Sequence, residues 1–447
     1  MNHSEISRRT FVGSAGAAGL GLLIVPRRAL GGPGYRAPSD TLNVACIGVG
    51  GMGRSDVGGI ADAGANIYAL CDVDDHMARS AHEAFPAAKR YRDFREMLDR
   101  EQDNIDAVTV STPDHTHAVA GMMAMRLGKP CRIQKPLART IWEVRELMAA
   151  AEEAGVATQM GNQGHAQEGT RQIREWVEAG AIGTVRRVEY WTNRPIWPQA
   201  IDRPTEAHNV PPWLDWELWL GPAPDRPYHP AYAPFRWRGW WDYGTGALGD
   251  IACHAMDAAY WALDLGYPER IVAESTTLYA ETAPAASRIV YDFPARGERG
   301  PIEVVWRDGN LSPPRPEEIA DDARWPIATS GQIWVGDDGK LFAGIYGEDP
   351  KLLDPERDAQ IRAEPPEQKY PRTDGVYAEF VEAAMGGTPA GSSFPEHAGP
   401  LSEMVLLGNL AVRSARELRL DPETGRILNA NIPAEYTNPV YRDGWGW

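Results

Sequence analysis

The stretch Leu42-Asn-Val-Ala-Cys-Ile-Gly48-Val-Gly50-Gly51-Met52-Gly53 decides the fold of this chain. Its first six residues form a short apolar run that is typical of a buried strand. The G-x-G-x-x-G pattern follows at once, with glycines for a tight turn, for close approach of a pyrophosphate and for helix–strand packing. The helix N-terminus there would offer free N–H groups to phosphates. We therefore predict a dinucleotide site whose contacts include Gly48, Gly50, Gly51, Met52 and Gly53.

A second predicted strand, residues 65–71, ends directly before Asp72, which lies 19 positions after Gly53. A carboxylate at that place binds the adenine ribose hydroxyls and repels a 2′-phosphate, so NAD is expected in preference to NADP. Strands predicted at 105–110, 131–134 and 157–160 alternate with helices at 115–127 and 141–154. That alternation indicates α/β class with a doubly wound parallel sheet. We place this Rossmann domain at residues 41–160; the alternative is a glycine turn without a ligand.

Three ordered motifs carry a resemblance to a known family. They are Ser111-Thr112-Pro113-Asp114-His115-Thr116-His117, Gly128-Lys129-Pro130-Cys131-Arg132-Ile133-Gln134-Lys135-Pro136 and Gly246-Ala-Leu-Gly-Asp250-Ile-Ala-Cys-His254-Ala-Met-Asp257. The chain resembles the Gfo/Idh/MocA family, named after glucose–fructose oxidoreductase and inositol dehydrogenase. The family patterns are T-P-x-x-x-H, G-K-x-V-x-x-E-K-P and G-x-x-x-D-x-x-x-H-x-x-D. The sequence departs from them at Gln134, where the family has an acid.

The resemblance implies a second domain, which we place at residues 161–447. Its expected form is an α/β domain with an open, mostly antiparallel sheet that in this family often packs on another subunit, so a homo-oligomer is expected. The resemblance assigns Lys135 to substrate and nicotinamide contact, and Asp250 and His254 to substrate binding and proton transfer. The further cofactor contacts that we predict are Ser111, Thr112, Pro113, His117 and Gln134.

The same three residues suit alcohol oxidation on chemical grounds. A proton must leave the oxygen as hydride leaves the carbon, and His254 is a suitable base. Asp250, four positions earlier on one helix, can orient the imidazole or bind a neighbouring hydroxyl. Lys135 can stabilise the developing alkoxide. Asp257 would continue this helix face towards the substrate, although pairing with an arginine is an alternative. We predict no metal; the alternative is an ion on Asp250, His254 and a third ligand such as His165.

Substrate contacts are predicted in two further places. Asn162, Gln163 and His165 follow the strand at 157–160, where ligands bind in such sheets, unless they are a polar linker. A Pro- and Trp-rich insertion spans about 193–243, and nine of the sixteen tryptophans lie between positions 191 and 261. Indole rings stack on sugars, so we expect one to three of them, including Trp240, to contact substrate. The alternative places these rings in the core.

The N-terminus and the composition bear on location and partners. Ser7-Arg8-Arg9-Thr10-Phe11-Val12 resembles the twin-arginine export signal, so residues 1–40 are predicted to be a signal and linker that directs the protein to the periplasm or cell envelope. A membrane-anchoring N-terminus is the alternative. The formal net charge of −17 argues against nucleic acid as a partner. No apolar run is long enough for a membrane span beyond the signal.

These observations predict an exported, NAD-dependent oxidoreductase acting on a secondary alcohol of a sugar, polyol or glycoside. Because no free NAD pool exists outside the cytoplasm, the cofactor is expected to be tightly bound. One alternative is a redox-neutral glycosidase or lyase that oxidises its substrate transiently. Another is a non-catalytic carbohydrate-binding protein on the same fold.

Overall fold

The computed structural model describes residues 41–429 and 431–447. The predicted twin-arginine signal lies outside the described residues. Within the described part of the chain, no helix has the length and apolar character needed to cross a membrane.

A six-stranded, all-parallel sheet forms the first half, with strand order β3-β2-β1-β4-β5-β6. Its strands are Asn43–Ile47 (β1), Asn66–Cys71 (β2), Lys89–Tyr91 (β3), Ala107–Val110 (β4), Cys131–Ile133 (β5) and Thr158–Met160 (β6). Its helices are Met52–Asp62 (α1), Asp75–Ala84 (α2), Phe94–Glu101 (α3), Asp114–Arg126 (α4) and Ile141–Ala154 (α5). The order reverses between β1 and β4, the point at which such sheets bind ligands. The predicted doubly wound sheet is confirmed.

Local sequence explains where these helices begin and end. Thr140 and Glu143 form a reciprocal capping box at the start of α5, and Gly155 ends that helix in the left-handed conformation at φ 61°. Asp74 caps α2 by accepting hydrogen bonds from the backbone N–H groups of His76 and Met77. The caps at Thr140 and Asp74 fix loops at the carboxyl edge of the sheet, where the predicted site lies.

An eight-stranded sheet forms the second half, in the order β13-β12-β11-β7-β10-β9-β8-β14. Only the β7–β10 pair is parallel among its described strands. The strands are Val185–Trp191 (β7), Arg270–Ser275 (β8), Ser287–Phe293 (β9), Ile302–Arg307 (β10), Gly331–Gly336 (β11), Gly339–Ala343 (β12), Lys351–Leu352 (β13) and Leu418–Arg419 (β14). The helices are Glu168–Glu178 (α6), Trp216–Leu220 (α7), Gly246–Ala255 (α8), Asp257–Ala262 (α9), Pro355–Ala363 (α10), Val376–Ala384 (α11), Gly399–Ser414 (α12) and Ala434–Thr437 (α13). The predicted mostly antiparallel sheet is confirmed.

Helix α11 lies far along the chain but packs on the nucleotide half. Phe380 and Val381 are buried in the apolar cluster that contains the β1 and α1 side chains. The hydroxyl of Tyr377 donates to Oδ1 of Asp56 over 2.9 Å, across 321 positions of sequence. Apolar surface of the nucleotide half is therefore covered by residues from beyond the predicted boundary at 160.

The Trp-rich insertion also reaches the nucleotide half. The backbone N–H of Asp75 donates to the carbonyl of Trp213 over 3.0 Å, and that of Asp215 donates to Val73 over 2.9 Å. The C-terminal segment packs alongside, where Trp445 is buried against Phe94. The two halves are thus joined on the side of β2 as well as at the cleft.

Candidate active site

A cleft of about 760 Å³ opens along the carboxyl ends of β1, β4 and β5 and is walled on its other side by the second half. Residues of the glycine loop, of the strand ends and of α8 all line it. The insertion contributes a further wall. The cleft therefore joins the predicted cofactor residues to the predicted catalytic residues.

The glycine loop is shaped for close approach of a ligand. Gly48 has φ +75°, and a Cβ there would lie 2.6 Å from the carbonyl oxygen of Ser111. A Cβ on Gly50 would lie 2.7 Å from Cβ of Met77, and one on Gly53 would lie 2.0 Å from the Gly48 carbonyl oxygen. Gly48, Gly50, Gly51 and Met52 line the cleft, whereas Gly53 serves helix–strand packing. This cradle before a helix N-terminus fits the pyrophosphate of NAD.

Asp72 lines the cleft at the end of β2 and holds the glycine loop. Its Oδ2 accepts hydrogen bonds from the backbone N–H groups of Val49 at 2.8 Å and Gly50 at 3.0 Å. Burial raises the pKa of Asp72, and those backbone donors oppose the rise. The carboxylate therefore positions the loop, and its contact with a ribose stays a prediction.

Gln134 stands where the family pattern has an acid, and its neighbour Asp56 of α1 explains the difference. The Gln134 side-chain amide donates to Asp56 Oδ2 over 2.9 Å, and Oγ of Ser111 donates to the same oxygen over 2.6 Å. Arg132 lies 3.2 Å from Asp56 Oδ1, with both side chains buried. An acid at position 134 would face this buried carboxylate, so the neutral amide suits the site.

The remaining predicted cofactor residues divide into two groups. Ser111, Thr112 and Pro113 line the cleft at the end of β4, as does Gln134 after β5. His117 does not line it: its ring nitrogens lie 2.9 Å from the carbonyl oxygens of Pro136 and Thr112. The predicted cofactor contact of His117 is therefore corrected: its side chain hydrogen-bonds to the loops after β4 and β5 and does not line the cleft.

Lys135 and Asp250 meet inside the cleft. The Lys135 ammonium donates to the backbone carbonyl of Asp250 over 2.6 Å and to its Oδ1 over 2.9 Å. Arg238 Nε lies 2.9 Å from the same Oδ1. Burial by itself would raise the pKa of Asp250, but the charges of Arg238 and Lys135 hold it below its usual range. Asp250 is thus an anion that fixes two cations.

His254 faces the same cleft one helical turn after Asp250. Its Nδ1 has no hydrogen-bond partner among the described residues, and its ring packs on Tyr346 with centroids 4.6 Å apart. Burial, together with the charge of Lys135, lowers the pKa of His254 to about 3. The imidazole is therefore neutral at physiological pH.

Asn162, His165 and Asp257 lie in a separate buried cluster. Helix α8 ends at Ala255, so Asp257 does not continue the face of His254. Its Oδ1 instead contacts Asn162 Nδ2 at 2.7 Å, His165 Nδ1 at 3.0 Å and His397 Nε2 at 2.6 Å. These three side chains are corrected from substrate contacts to an internal network. Of the predicted residues after β6, only Gln163 lines the cleft.

The structure also bears on two alternatives, the pairing of Asp257 with an arginine and the use of His165 as a metal ligand. Asp257 pairs with histidines, not with an arginine. His165 is hydrogen-bonded to Asp257 and packs on His397, so it is not placed as the third ligand of the metal alternative on Asp250 and His254. The ligand atoms of His165, Asp257 and His397 do lie within 4.8 Å of one another. Hydrogen bonds at 2.6–3.1 Å already satisfy that carboxylate.

Trp240 is likewise corrected from a substrate contact to a core residue. Its ring is buried and its Nε1 donates to the carbonyl of Ala231 over 2.9 Å. Three other rings of the Trp-rich segment line the cleft, namely Trp197, Trp219 and Trp237. Contact of these rings with a substrate stays a prediction.

Sequence reasoning missed two arginines in the cleft. Arg194 and Arg238 belong to the insertion and point at Asp250, with Arg194 Nε 3.7 Å from Oδ2. Asp114, inside the T-P-x-x-x-H motif, accepts from the Thr245 hydroxyl over 2.7 Å and pairs with Arg238 at 3.2 Å. In the sequence, Arg238 stands between Trp237 and Trp240, and this pattern does not show where its side chain points.

Profiles of known protein families match both halves of the chain. Residues 42–162 match the profile described as oxidoreductase family, NAD-binding Rossmann fold, and residues 170–297 match that of the C-terminal alpha/beta domain. The chain belongs to the Gfo/Idh/MocA oxidoreductase family. The expected family and its NAD-binding Rossmann fold are confirmed.

Two curated relatives align with only about a third of this chain. A D-apiose dehydrogenase from Paraburkholderia graminis is 35% identical over 141 residues, 31% of this chain and 37% of that protein. A glycosyl hydrolase family 109 protein from Shewanella pealeana is 30% identical over 172 residues, 33% of this chain and 37% of that protein. The chain thus matches little more than a third of the length of either relative.

A solved structure covers far more of the chain. The WlbA dehydrogenase from Bordetella pertussis, in complex with NADH and UDP-GlcNAcA, aligns over 85% of this chain and 99% of that one. The TM-score is 0.59 and the sequence identity is 18%, a likeness that shows the fold.

Proposed function

We propose that this protein is an exported, NAD-dependent enzyme that oxidises a secondary alcohol of a sugar, polyol or glycoside. The observation that carries the proposal is the convergence of Lys135, Asp250 and His254 in the cleft that the glycine loop also lines. The dehydrogenase names among the relatives support the reaction class. The acids and the apolar rings of the cleft suit a small polyhydroxylated ligand.

Each residue has a role that follows from its surroundings. When bound, NAD would accept the hydride from the carbinol carbon. His254 lines the cleft as a neutral imidazole, so its ring can take the hydroxyl proton there. Lys135 stabilises the negative charge that develops on the oxygen, and Asp250 holds the ammonium in place. The buried position of His254 keeps water from competing for the proton.

A tightly held cofactor is part of the proposal. The insertion crosses to the β2 side through the Asp75–Trp213 and Asp215–Val73 hydrogen bonds. Leu218 and Trp219 of that segment line the same cleft as Asp72. This wall supports slow release of the adenosine end, which an enzyme outside the cytoplasm requires. Export itself rests on the twin-arginine pattern in residues 1–40.

The test starts with the purified protein. Denaturation should release NAD in near-stoichiometric amount, and fractionation should place the protein in the cell envelope. Addition of sugars should then yield ketone and reduced nicotinamide. Absence of nucleotide, with no NAD binding on titration, would contradict the proposal. Sugar binding without any change in nicotinamide absorbance would favour a carbohydrate-binding protein instead.

A second candidate is a redox-neutral glycosidase or lyase, which the family 109 relatives favour. In that reaction the C3 alcohol is oxidised transiently, the acidified C2–H loses its proton and the aglycone leaves. Water then adds at C1, and returned hydride restores the alcohol. Solvent deuterium at C2 of the product, with release of free aglycone, would select this candidate. Stoichiometric ketone without cleavage would select simple oxidation.

We also propose a homo-oligomer, as the resemblance implies for the eight-stranded sheet. Size-exclusion chromatography with light scattering measures the mass directly. A mass equal to one chain at micromolar concentration would contradict this part of the proposal.

A further inference from the structure

Three cations surround one carboxylate at the substrate end of the cleft. Lys135 Nζ and Arg238 Nε each lie 2.9 Å from Asp250 Oδ1, and Arg194 Nε lies 3.7 Å from Oδ2. The side chains of all four are at most 28% exposed, so solvent screens them weakly. Asp250 alone does not balance three positive charges.

The neighbouring groups leave this excess in place. Asp114 also pairs with Arg238, so this group of five ion-paired side chains contains three cations and two anions. The neutral ring of His254 adds no charge. The other acids that line the cleft, Asp72 and Asp74, lie at the far end beside β2. A positive region is therefore built into a protein whose formal net charge is −17.

Of the three cations, Arg194 is the one held most loosely. Lys135 donates twice to Asp250, and Arg238 is fixed by Asp250 and Asp114. Arg194 has a 2.7 Å hydrogen bond from one terminal nitrogen to Asn193 Oδ1 and only the longer approach to Asp250. Its guanidinium lines the cleft, and its remaining N–H groups can meet both oxygens of a carboxylate.

Burying an unbalanced charge is unfavourable unless a counter-charge joins it. We propose that the substrate supplies that charge: the preferred ligand is a uronic acid or its glycoside, with the carboxylate bound by Arg194 beside Arg238. This inference rests on the proposed function, because it names the substrate class of the same cleft. Arg194 and Arg238 come from the insertion, so they act on specificity and leave proton transfer to His254.

Calorimetric titration of the NAD-loaded protein tests the preference. Methyl glucuronide, galacturonide and mannuronide are compared with the matching neutral methyl glycosides and with the uronamides, which keep the size but lack the charge. We expect at least one acid to bind about 10- to 100-fold more tightly than its two neutral partners. The ratio should shrink as salt is added.

Two variants separate the arginine from general effects. Arg194→Gln should remove most of the preference while retaining NAD and the unfolding temperature. Arg236→Gln is the matched control, because that exposed residue lies in the same segment but does not line the cleft. The preference should persist in this control.

The outcomes distinguish this inference from the proposed function. Equal or tighter binding of the neutral sugar in every pair, or an unchanged ratio in Arg194→Gln, would overturn the inference; oxidation of neutral sugars would then still support the function. Acid binding that depends on Arg194, without oxidation of any bound sugar, would overturn the function and leave the anion site standing.

Discussion

Lowering the pH from about 8 to about 5.5 should leave the rate of hydride transfer almost unchanged, because His254 stays neutral over that range. Burial and the Lys135 charge lower the pKa of His254 to about 3, from the usual value of 6.5. That difference corresponds to about 5 kcal/mol against protonating the ring. A histidine with its ordinary pKa would be only about one-tenth neutral at the lower pH. The expected rate ratio is therefore near one instead of near one-tenth.

The assay is single turnover of the NAD-loaded protein, followed by absorbance of the reduced nicotinamide. His254→Ala should slow this step about 10²- to 10⁴-fold while the protein still folds and holds NAD. His82→Ala is the control, because that histidine lies outside the cleft, and it should keep both rate and profile. A wild-type rate that falls tenfold with an apparent pKa near 6.5 would refute the pKa argument. Full turnover in His254→Ala would refute the assignment of the base.

Three further predictions concern other parts of the molecule. Gly50→Ala should abolish NAD retention, because a Cβ there would lie 2.7 Å from Cβ of Met77 and would displace the loop that approaches the pyrophosphate; nucleotide released on denaturation measures this. Asp257→Asn should lower the free energy of unfolding by about 1–3 kcal/mol in urea titrations near neutral pH. Burial alone would raise the pKa of Asp257, but His165 and His397 hold it below its usual range. The difference from wild type should therefore shrink as the pH falls below about 4; a difference that persists there would contradict the argument. Trp445→Ala should cost about 2–4 kcal/mol, because the ring is buried and lies against Phe94; unchanged stability in denaturant titration would show that the C-terminal segment is not anchored there.

The sequence predicted the features that depend on short-range pattern. Strand, glycine loop, helix and acid follow one another within thirty-one residues, from Leu42 to Asp72, and each step has its own composition. Lys135 and the Asp250–His254 pair were also found because motifs mark them. Their meeting follows from the fold, since Lys135 stands at the end of β5 and α8 borders the same cleft.

Contacts between distant segments could not be predicted in the same way. Asp257 turns to His397, which lies 140 positions later, and this partner decides its role. The Gln134 side-chain amide donates to Asp56, which lies 78 positions earlier. Arg194 lies in an insertion without helical or strand period, so nothing in the pattern directs its side chain into the cleft. Long-range packing, not local propensity, sets these positions.

The packing of α11 against the nucleotide half has a consequence for the order of folding. Phe380 and Val381 cover apolar surface beside β1, and Tyr377 reaches Asp56 across 321 positions. Contacts of such separation require closure of a very long loop, which slows folding and delays protection of that surface. An isolated fragment ending near residue 160 would leave this surface open to aggregation. Complete packing of the nucleotide half therefore requires α11, which is synthesised more than 200 residues after β6.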